Sequence, residues 1–114
     1  NKLVKYNSNT TQVQATLYPG LGAKYVTHID EPPNIKKKTA KRKLTCLMYF
    51  NLFGDQEQYD MDKHGGCLRI YLGNNKYRDI EPFGGRIIVF NSQWLPHQVL
   101  STHFNRYAVT LWMY

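Results

Sequence analysis

The sequence predicts an all-β domain with little helix, and three observations support this fold class. Short apolar or alternating segments recur along the chain, with turn-forming residues between them. Nine residues are tyrosine and 14% of the chain is aromatic, which is typical of strands and argues against disorder. Helical periodicity is almost absent. About eight short antiparallel strands predict a double-stranded β-helix, or jelly roll.

The predicted strands follow a polar N-terminal segment, residues 1–11, which we interpret as an exposed entry loop or as a linker from preceding sequence. In chain order the strands are Gln12–Leu17, Ala23–Ile29, Leu44–Leu52, 67–72, Tyr77–Ile80, 86–90, 96–100 and 106–114. Turn residues separate them, as at Pro19-Gly20 and Asn74-Asn75. The acidic segment 53–64 is expected to form a surface loop or a short helix, and His64 and His103 are expected to be solvated.

Length and cysteine content predict one domain in a reducing compartment. The 114 residues suffice for one modest core, and we interpret 1–114 as a single domain, trimmed from a longer protein because it starts at Asn1 without Met. Cys46 and Cys67 lie in apolar runs and are expected to be buried free thiols, with a disulfide between neighbouring strands as the alternative. No run approaches the length of a membrane span, and these 114 residues contain no signal peptide. We expect a monomer in the cytoplasm, the nucleus or both.

The positive charge is concentrated in one basic loop, residues 34–43. The formal net charge is +7, and most of the excess lies in this loop. Its cations are Lys36, Lys37, Lys38, Lys41, Arg42 and Lys43. Such a loop would favour an acidic protein or a nucleic acid as partner. The alternative is a solvated loop without a binding role.

Two histidines and one aspartate form a candidate metal site. His28 and Asp30 are two residues apart, so in a strand both side chains face the same side. With His97 from a distant strand they provide two imidazoles and one carboxylate, which is typical of a facial Fe(II) site with open positions. A structural zinc site would take four ligands, preferably thiolates. For His28 alone, a surface histidine is the alternative, because chance matches to so short a motif are frequent.

Arg106 is a candidate anion-binding residue. It begins the last predicted strand, so its side chain and that of His97 can point into the mouth of one barrel. A buried arginine is costly unless an anion meets it, and a ligand carboxylate suits the planar guanidinium. The alternative places Arg106 on the outer face, paired with the acidic residues of segment 55–62.

Seven short motifs in chain order carry a resemblance to a known family. They are Tyr18-Pro19-Gly20, Tyr25-Val26-x-His28-x-Asp30, Thr45-Cys46-x-x-Tyr49, Gly65-Gly66-x-Leu68-Arg69-Ile70, Asp79-Ile80-Glu81-Pro82, Pro96-His97-x-Val99 and Arg106-Tyr107-Ala108-x-Thr110-x-Trp112. Over residues 12–113 the chain resembles the 2-oxoglutarate/Fe(II) prolyl hydroxylases. Within them it resembles the enzymes that act on hypoxia-inducible factor and their protist relatives. This resemblance moves the interpretation of Arg106 toward ligand binding.

The resemblance also implies roles for individual residues. His28, Asp30 and His97 resemble the family's iron ligands. Arg106 resembles the residue that binds the C5 carboxylate of 2-oxoglutarate, with the Tyr49 hydroxyl as second donor. The remaining residues of the implied co-substrate pocket are Tyr18, Leu47, Leu68, Val99, Thr110 and Trp112. For the apolar members, plain core packing is an alternative that is compatible with a pocket role.

The implied function is that of a prolyl 4-hydroxylase. Such an enzyme couples oxidative decarboxylation of 2-oxoglutarate to hydroxylation of a protein proline and yields 4-hydroxyproline, succinate and CO2. The expected cofactors are Fe(II) and 2-oxoglutarate, with ascorbate as reductant. The expected partners are O2 and a protein or peptide that contains the target proline, and the motifs favour this substrate over nucleic acid. Two alternatives stay open: the same oxygenase fold with another substrate, and a non-catalytic jelly-roll module that binds through its basic loop.

The chain also departs from the family pattern. The loop 34–43 is longer and more basic than in the animal enzymes, where it folds over the substrate. We therefore expect a substrate-binding role for Lys36, Lys37, Lys38 and Lys41, which would favour an acidic peptide. The segment 92–95 before His97 differs from the animal pattern, and the family's flanking helices are scarcely represented.

Overall fold

The computed structural model describes residues 2–7 (backbone only), 10–34, 36, 41–51 and 58–114. Nine strands and one short helix lie within these ranges. They are β1 (Lys2–Asn7), β2 (Thr11–Tyr18), β3 (Ala23–His28), β4 (Leu44–Tyr49), α1 (Met61–His64), β5 (Leu68–Gly73), β6 (Lys76–Ile80), β7 (Ile87–Asn91), β8 (His97–Thr102) and β9 (Arg106–Met113). No helix in the described residues is long and apolar enough to cross a membrane.

The strands form two antiparallel sheets. The larger sheet has the strand order β1-β2-β9-β4-β7, and the smaller has the order β3-β8-β5-β6. Sequence neighbours are thus often separated in space, because the chain alternates between the sheets, as in a jelly roll. The predicted all-β jelly roll with little helix is confirmed.

The strand that the sequence did not predict is β1. Lys2–Asn7 pairs antiparallel with β2, from Lys2↔Leu17 to Asn7↔Gln12. The expectation of an exposed loop over residues 1–11 was therefore wrong for this segment. Pairing with β2 satisfies the backbone hydrogen-bonding groups of β1 and so stabilises the strand. The polar composition of the segment gives no sign of this pairing.

Alternation within the strands places one face of each sheet in the interior. In β9, Arg106 and Ala108 are buried whereas Tyr107 between them is exposed. The buried residues that form the core cluster are Tyr18, Leu47, Tyr49, Leu68, Val99 and Ala108. Several of these also belong to the implied pocket, so the core and the candidate site share one interior space.

Two turns show how the sequence sets chain reversals. Asn74 and Asn75 both have left-handed backbone angles, with φ of 52° and 59°, and they join β5 to β6. Asparagine tolerates this conformation, and two successive positive φ values match the twist of a tight hairpin. The turn predicted at Asn74-Asn75 is confirmed.

β4 ends at Tyr49, three residues before the predicted end. The buried Asn51 explains part of this difference. Its Nδ2 donates to the Pro82 carbonyl at 2.7 Å, and its Oδ1 accepts from the Tyr107 backbone N–H at 2.7 Å. Its amide thus ties the chain to two other segments instead of continuing the strand.

Helix α1 brings His64 into the interior. Asp60 caps the helix, because its Oδ1 accepts from the backbone N–H groups of Asp62 and Lys63 at 2.9 Å each. His64 is only 6% exposed, and its Nδ1 accepts from the Asp60 N–H at 2.9 Å. The expectation that His64 is solvated was wrong, whereas His103 is exposed as expected.

Both cysteines are free thiols. Cys67 is fully buried, with its Sγ 3.1 Å from the Tyr59 hydroxyl, and Cys46 is partly buried in β4. The alternative of a disulfide between them is therefore excluded by the structure.

Candidate metal centre and ligand pocket

The structure brings His28, Asp30 and His97 together. The ligand atoms that they offer all lie within 4.8 Å of one another. His28 Nε2 is 3.1 Å and His97 Nε2 is 3.3 Å from the same atom, Asp30 Oδ1. The surface-histidine alternative for His28 does not describe this geometry, since the ring faces two other potential ligands. Two imidazole nitrogens and one carboxylate oxygen are a donor set suited to Fe(II).

Strand pairing produces this convergence. β3 and β8 are neighbours in the smaller sheet, and His28 at the end of β3 pairs with His97 at the start of β8. Asp30 follows β3 by two residues, so its side chain returns toward the same point. Residues that are far apart in sequence thereby share one end of the barrel.

Both imidazole rings are fixed by the backbone. His28 Nδ1 lies 2.8 Å from the Val26 carbonyl, and His97 Nδ1 lies 2.8 Å from the Leu95 carbonyl. A carbonyl can only accept, so each Nδ1 carries a proton, and each Nε2 is directed to the centre of the cluster. Such contacts are typical of histidines that bind metals.

The two carboxylate oxygens of Asp30 have different partners. Oδ1 faces the imidazoles, whereas Oδ2 accepts from the Thr45 hydroxyl at 2.6 Å and from the Trp112 indole N–H at 3.1 Å. Burial alone would raise the pKa of Asp30, but hydrogen bonds from His28, His97 and Thr45 outweigh it and hold this pKa well below its ordinary value. The carboxyl group is therefore ionised and able to bind a cation.

The hydrogen bond between Asp30 and His28 lowers the pKa of Asp30 but raises the pKa of His28. Burial lowers its pKa, but hydrogen bonds to Asp30 and to the Val26 carbonyl outweigh burial, so the pKa of His28 lies above its ordinary value. A metal ion at this position must displace the shared proton, which makes metal binding dependent on pH.

Arg106 is a buried cation in the same cavity. It is 1% exposed, its Nε donates to the Gly66 carbonyl at 2.8 Å, and its Nη2 donates to the Tyr49 hydroxyl at 3.2 Å. Both acceptors are neutral, and no carboxylate in the described part of the chain forms an ion pair with Arg106. The alternative that placed Arg106 on the outer face was wrong. A carboxylate ligand would complete the environment of the guanidinium.

Tyr49 is not among the residues that line the cavity, although its hydroxyl lies 3.2 Å from Arg106 Nη2. Burial raises its pKa and the nearby Arg106 lowers it, with burial the stronger effect. The hydroxyl is therefore neutral, accepts from Arg106, and retains its proton for donation. Its predicted role as a second donor to a ligand carboxylate stays a prediction.

The cavity between the sheets has a volume of about 480 Å³, which lies in the range of small-molecule sites. The triad and Arg106 both line it. Its walls include all six further pocket residues implied by the resemblance: Tyr18, Leu47, Leu68, Val99, Thr110 and Trp112. Four of these are also members of the core cluster, so pocket and core roles coexist.

Sequence reasoning missed several cavity residues. The inward face of β2 contributes Gln12, Gln14 and Thr16, which share the parity of Tyr18 and could have been found from alternation. Thr45 was missed although it has the same parity as Leu47.

Arg42 also lines the cavity, at the basic loop. Its guanidinium lies over the Trp112 ring, 4.0 Å from the centroid, and its Nη2 donates to Gln12 Oε1 at 2.5 Å. Two of the four lysines of the substrate-loop hypothesis lie within the described residues. Lys36 is exposed and Lys41 is partly buried, and Lys37 and Lys38 lie outside the described residues.

This set of donors and its scaffold match a known family. Residues 13–114 match the family model described as the 2OG-Fe(II) oxygenase superfamily. The chain belongs to the 2OG-Fe(II) oxygenase superfamily. The resemblance inferred from the motifs is thereby confirmed at the level of the superfamily.

Individual members of the superfamily are similar along almost the whole chain. Prolyl hydroxylase EGLN3 of Homo sapiens is 32% identical over 111 residues, which cover 96% of this chain and 42% of that protein. The chain thus spans less than half the length of this curated relative. A prolyl-4-hydroxylase of Pseudomonas putida has a similar structure, with a TM-score of 0.72 and 30% identity over 90% of this chain and 50% of that one.

A second solved structure contains a bound peptide. It is a prolyl hydroxylase from Trichoplax adhaerens in complex with a fragment of the hypoxia-inducible factor oxygen degradation domain. Its TM-score is 0.72 and its identity is 33%, over 91% of this chain and 42% of that one.

The residues present fit the two cofactors that the superfamily's description implies, Fe(II) and 2-oxoglutarate. The triad offers three donors of suitable type within a small space. Arg106 offers a buried cation whose described partners are all neutral. The triad and Arg106 line the same cavity, and this cavity is large enough for a small dicarboxylate.

Proposed function

We propose that this chain is the catalytic core of a 2-oxoglutarate- and O2-dependent Fe(II) dioxygenase that hydroxylates a proline in a protein. One arrangement carries the proposal: His28, Asp30 and His97 converge in a cavity that also holds the buried cation of Arg106. The prolyl hydroxylases among the relatives support proline as the target. The products would be 4-hydroxyproline, succinate and CO2.

In this proposal each group of residues has a separate task. His28, Asp30 and His97 would hold Fe(II). The bound Fe(II) would allow O2 to act as the oxidant, with 2-oxoglutarate as co-reductant, so that one oxygen atom enters the proline and the other enters succinate. Arg106 and Tyr49 bind the far carboxylate of 2-oxoglutarate and fix its orientation. The apolar lining residues Leu47, Leu68 and Val99 would pack against the bound co-substrate.

The substrate is proposed to be a protein or peptide segment that contains the target proline. The peptide complex of the Trichoplax adhaerens enzyme supports this class of substrate. Lys36, Lys37, Lys38 and Lys41 would favour an acidic sequence, chiefly through a faster encounter at low salt. We further propose ascorbate as reductant and a monomeric enzyme in the cytoplasm, the nucleus or both.

An anaerobic titration tests the co-substrate site directly. Fe(II) and 2-oxoglutarate together should produce the weak visible charge-transfer band of the chelate, and neither alone should do so. His97→Ala should abolish the band because it removes a metal ligand. Arg106→Ala should raise the 2-oxoglutarate concentration needed for half of the signal by about 30-fold or more, since truncating one partner of a buried charge pair costs roughly 2–5 kcal/mol.

Matched controls separate the site from general effects. His103→Ala and Arg78→Ala remove the same side-chain types at exposed positions and should leave the band unchanged. A folded, iron-supplied sample without a band would contradict the proposal. Incubation with a proline-containing peptide then identifies the product, and a mass increase on a residue other than proline would overturn the substrate assignment.

A further inference from the structure

A chain of buried hydroxyl groups leads away from the candidate metal centre. Asp30 Oδ2 accepts from Thr45 Oγ1 at 2.6 Å, and Thr45 Oγ1 lies 2.8 Å from Ser92 Oγ. Thr45 is 2% exposed and Ser92 is 1% exposed. An ionised carboxylate can only accept, so the Thr45 proton is directed to Asp30 and Ser92 must donate to Thr45. The three groups therefore form a relay of two hydrogen bonds with one direction: Ser92 donates to Thr45, and Thr45 donates to Asp30.

The backbone of Ser92 ties together the segments that carry the ligands. Its carbonyl accepts from the Glu31 N–H at 2.9 Å, directly after Asp30. Its own N–H donates to the Lys43 carbonyl at 3.0 Å, two residues before Thr45. Ser92 also begins the turn that leads to His97. One residue thus links the Asp30 loop, the start of β4 and the approach to β8.

We propose that Thr45, oriented by Ser92, is a positioning residue for the metal centre that determines which oxygen of Asp30 faces the metal. This inference rests on the proposed function, because it assumes that the triad binds a metal ion. The Thr45 hydroxyl and the Trp112 indole both bind Oδ2, and Oδ1 alone remains directed to His28 and His97. The arrangement holds Asp30 as a single-oxygen ligand and keeps other coordination positions open.

The physical reason lies in the freedom of an aspartate side chain. The terminal torsion of aspartate is broad, so an unrestrained carboxylate can rotate and present both oxygens to a cation. Two donors on one oxygen remove that freedom before the metal binds. Groups that orient metal ligands in this way commonly change metal affinity by about 10- to 100-fold when they are removed.

Calorimetric titration with Mn(II), which needs no anaerobic handling, tests the proposal on the intact chain. Thr45→Val keeps the shape of the side chain but removes the hydroxyl, and it should weaken Mn(II) binding by about 10- to 100-fold. Thr45→Ser restores the hydroxyl and should return the affinity to within about threefold of wild type. Ser92→Ala keeps both backbone hydrogen bonds, removes only the outer member of the relay, and should weaken binding by about two- to tenfold.

The control is Thr102→Val, the same change at another buried threonine. Thr102 Oγ1 donates to the Phe104 carbonyl at 3.0 Å, and none of the triad's described side-chain hydrogen bonds involves Thr102. This variant should lose stability in urea unfolding without a change in Mn(II) affinity. A merely structural role for Thr45 would give the same result as the control, which would overturn the inference.

The outcomes distinguish this inference from the proposed function. If wild type does not bind Mn(II), or if His97→Ala binds it equally well, the metal centre itself is refuted. If wild type binds and both Thr45→Val and Ser92→Ala bind with wild-type affinity, only the positioning role is refuted. Should Thr45→Val fail to fold, the Mn(II) affinity of Ser92→Ala decides: weaker binding supports the positioning role, and wild-type affinity overturns it.

Discussion

Asp30 and Arg106 are two buried charges whose surroundings differ. Asp30 has hydrogen-bond donors on Oδ2 and two imidazoles near Oδ1. Among the described residues, Arg106 donates to the neutral Gly66 carbonyl and Tyr49 hydroxyl and to no carboxylate. A buried cation among neutral groups costs free energy, and a bound carboxylate recovers part of that cost. The contrast is expected if one charge binds a metal cation and the other binds an anionic ligand.

Tyr49→Phe tests the predicted second donor at the residue scale. The change removes the hydroxyl that accepts from Arg106 and that would donate to the ligand carboxylate. A hydrogen bond to a charged group contributes roughly 1.5–3 kcal/mol, so we expect 2-oxoglutarate affinity to fall by about tenfold or more. Titration of the Mn(II)-loaded protein with 2-oxoglutarate measures the effect.

Tyr107→Phe is the matched control for this experiment. Tyr107 neighbours Arg106 in β9 but points outward and is 46% exposed, so loss of its hydroxyl should leave the affinity unchanged. Equal affinities for Tyr49→Phe and wild type would show that the Tyr49 hydroxyl serves only the guanidinium.

Among the elements, β3 and β8 do most to build the metal centre. They are adjacent in the smaller sheet, and the pairing His28↔His97 lies after a register shift between Tyr25 and His28. A one-residue slip in a strand turns every side chain to the other face. The irregular register of this pair is therefore part of what aligns the two imidazoles.

Asn51→Ala should destabilise the junction between β4 and β9. The change leaves the Pro82 carbonyl and the Tyr107 N–H without their 2.7 Å partners, one of them in a buried bond. Since an unsatisfied buried group costs roughly 1–3 kcal/mol, we expect the free energy of unfolding to fall by about 2–4 kcal/mol. Urea unfolding measures this change.

Asn105→Ala serves as its control. Asn105 Oδ1 accepts a single exposed hydrogen bond from the Gly20 N–H at 3.3 Å. Its loss should cost less than about 1 kcal/mol, because water replaces the partner. Similar costs for the two variants would contradict the assigned role of Asn51.

For the molecule as a whole, metal binding and folding are coupled. A ligand that binds only the folded state at 100 times its dissociation constant adds about 2.7 kcal/mol of stability. For a domain of 114 residues this corresponds to a rise in Tm of roughly 10 °C. We expect Mn(II) to produce such a rise, and His97→Ala to abolish it.

The rise in Tm that Mn(II) produces should become smaller at low pH. Imidazole nitrogens must be free of protons to bind a metal, so protons compete with Mn(II). The pKa of His28 lies above its ordinary value in the metal-free protein, so the Mn(II)-dependent rise should shrink as pH falls through that raised pKa. A rise that stays constant from pH 8 to about pH 5 would contradict His28 as a ligand.

Much of the fold could be predicted because its signals are local. Short apolar or alternating segments predicted eight of the nine described strands, and the pair Asn74-Asn75 predicted a turn. β1 was missed because its stability comes from pairing with β2, and His64 was misplaced because one helical turn carries it inward. The boundaries of β4 shifted because Asn51 bonds to residues distant in sequence.

The sequence by itself determined the strand pattern, the candidate ligands and the candidate anion-binding arginine, because residue type and short spacing carry that information. Only the tertiary structure decided that His28, Asp30 and His97 meet, that Arg106 is buried without a carboxylate partner among the described residues, and that Thr45, Ser92 and Arg42 belong to the same site. These facts depend on strand pairing and on long-range hydrogen bonds. Apart from His28 and Asp30, whose spacing of two residues already predicted a shared side, these residues have spacings along the chain that contain no signal of their proximity.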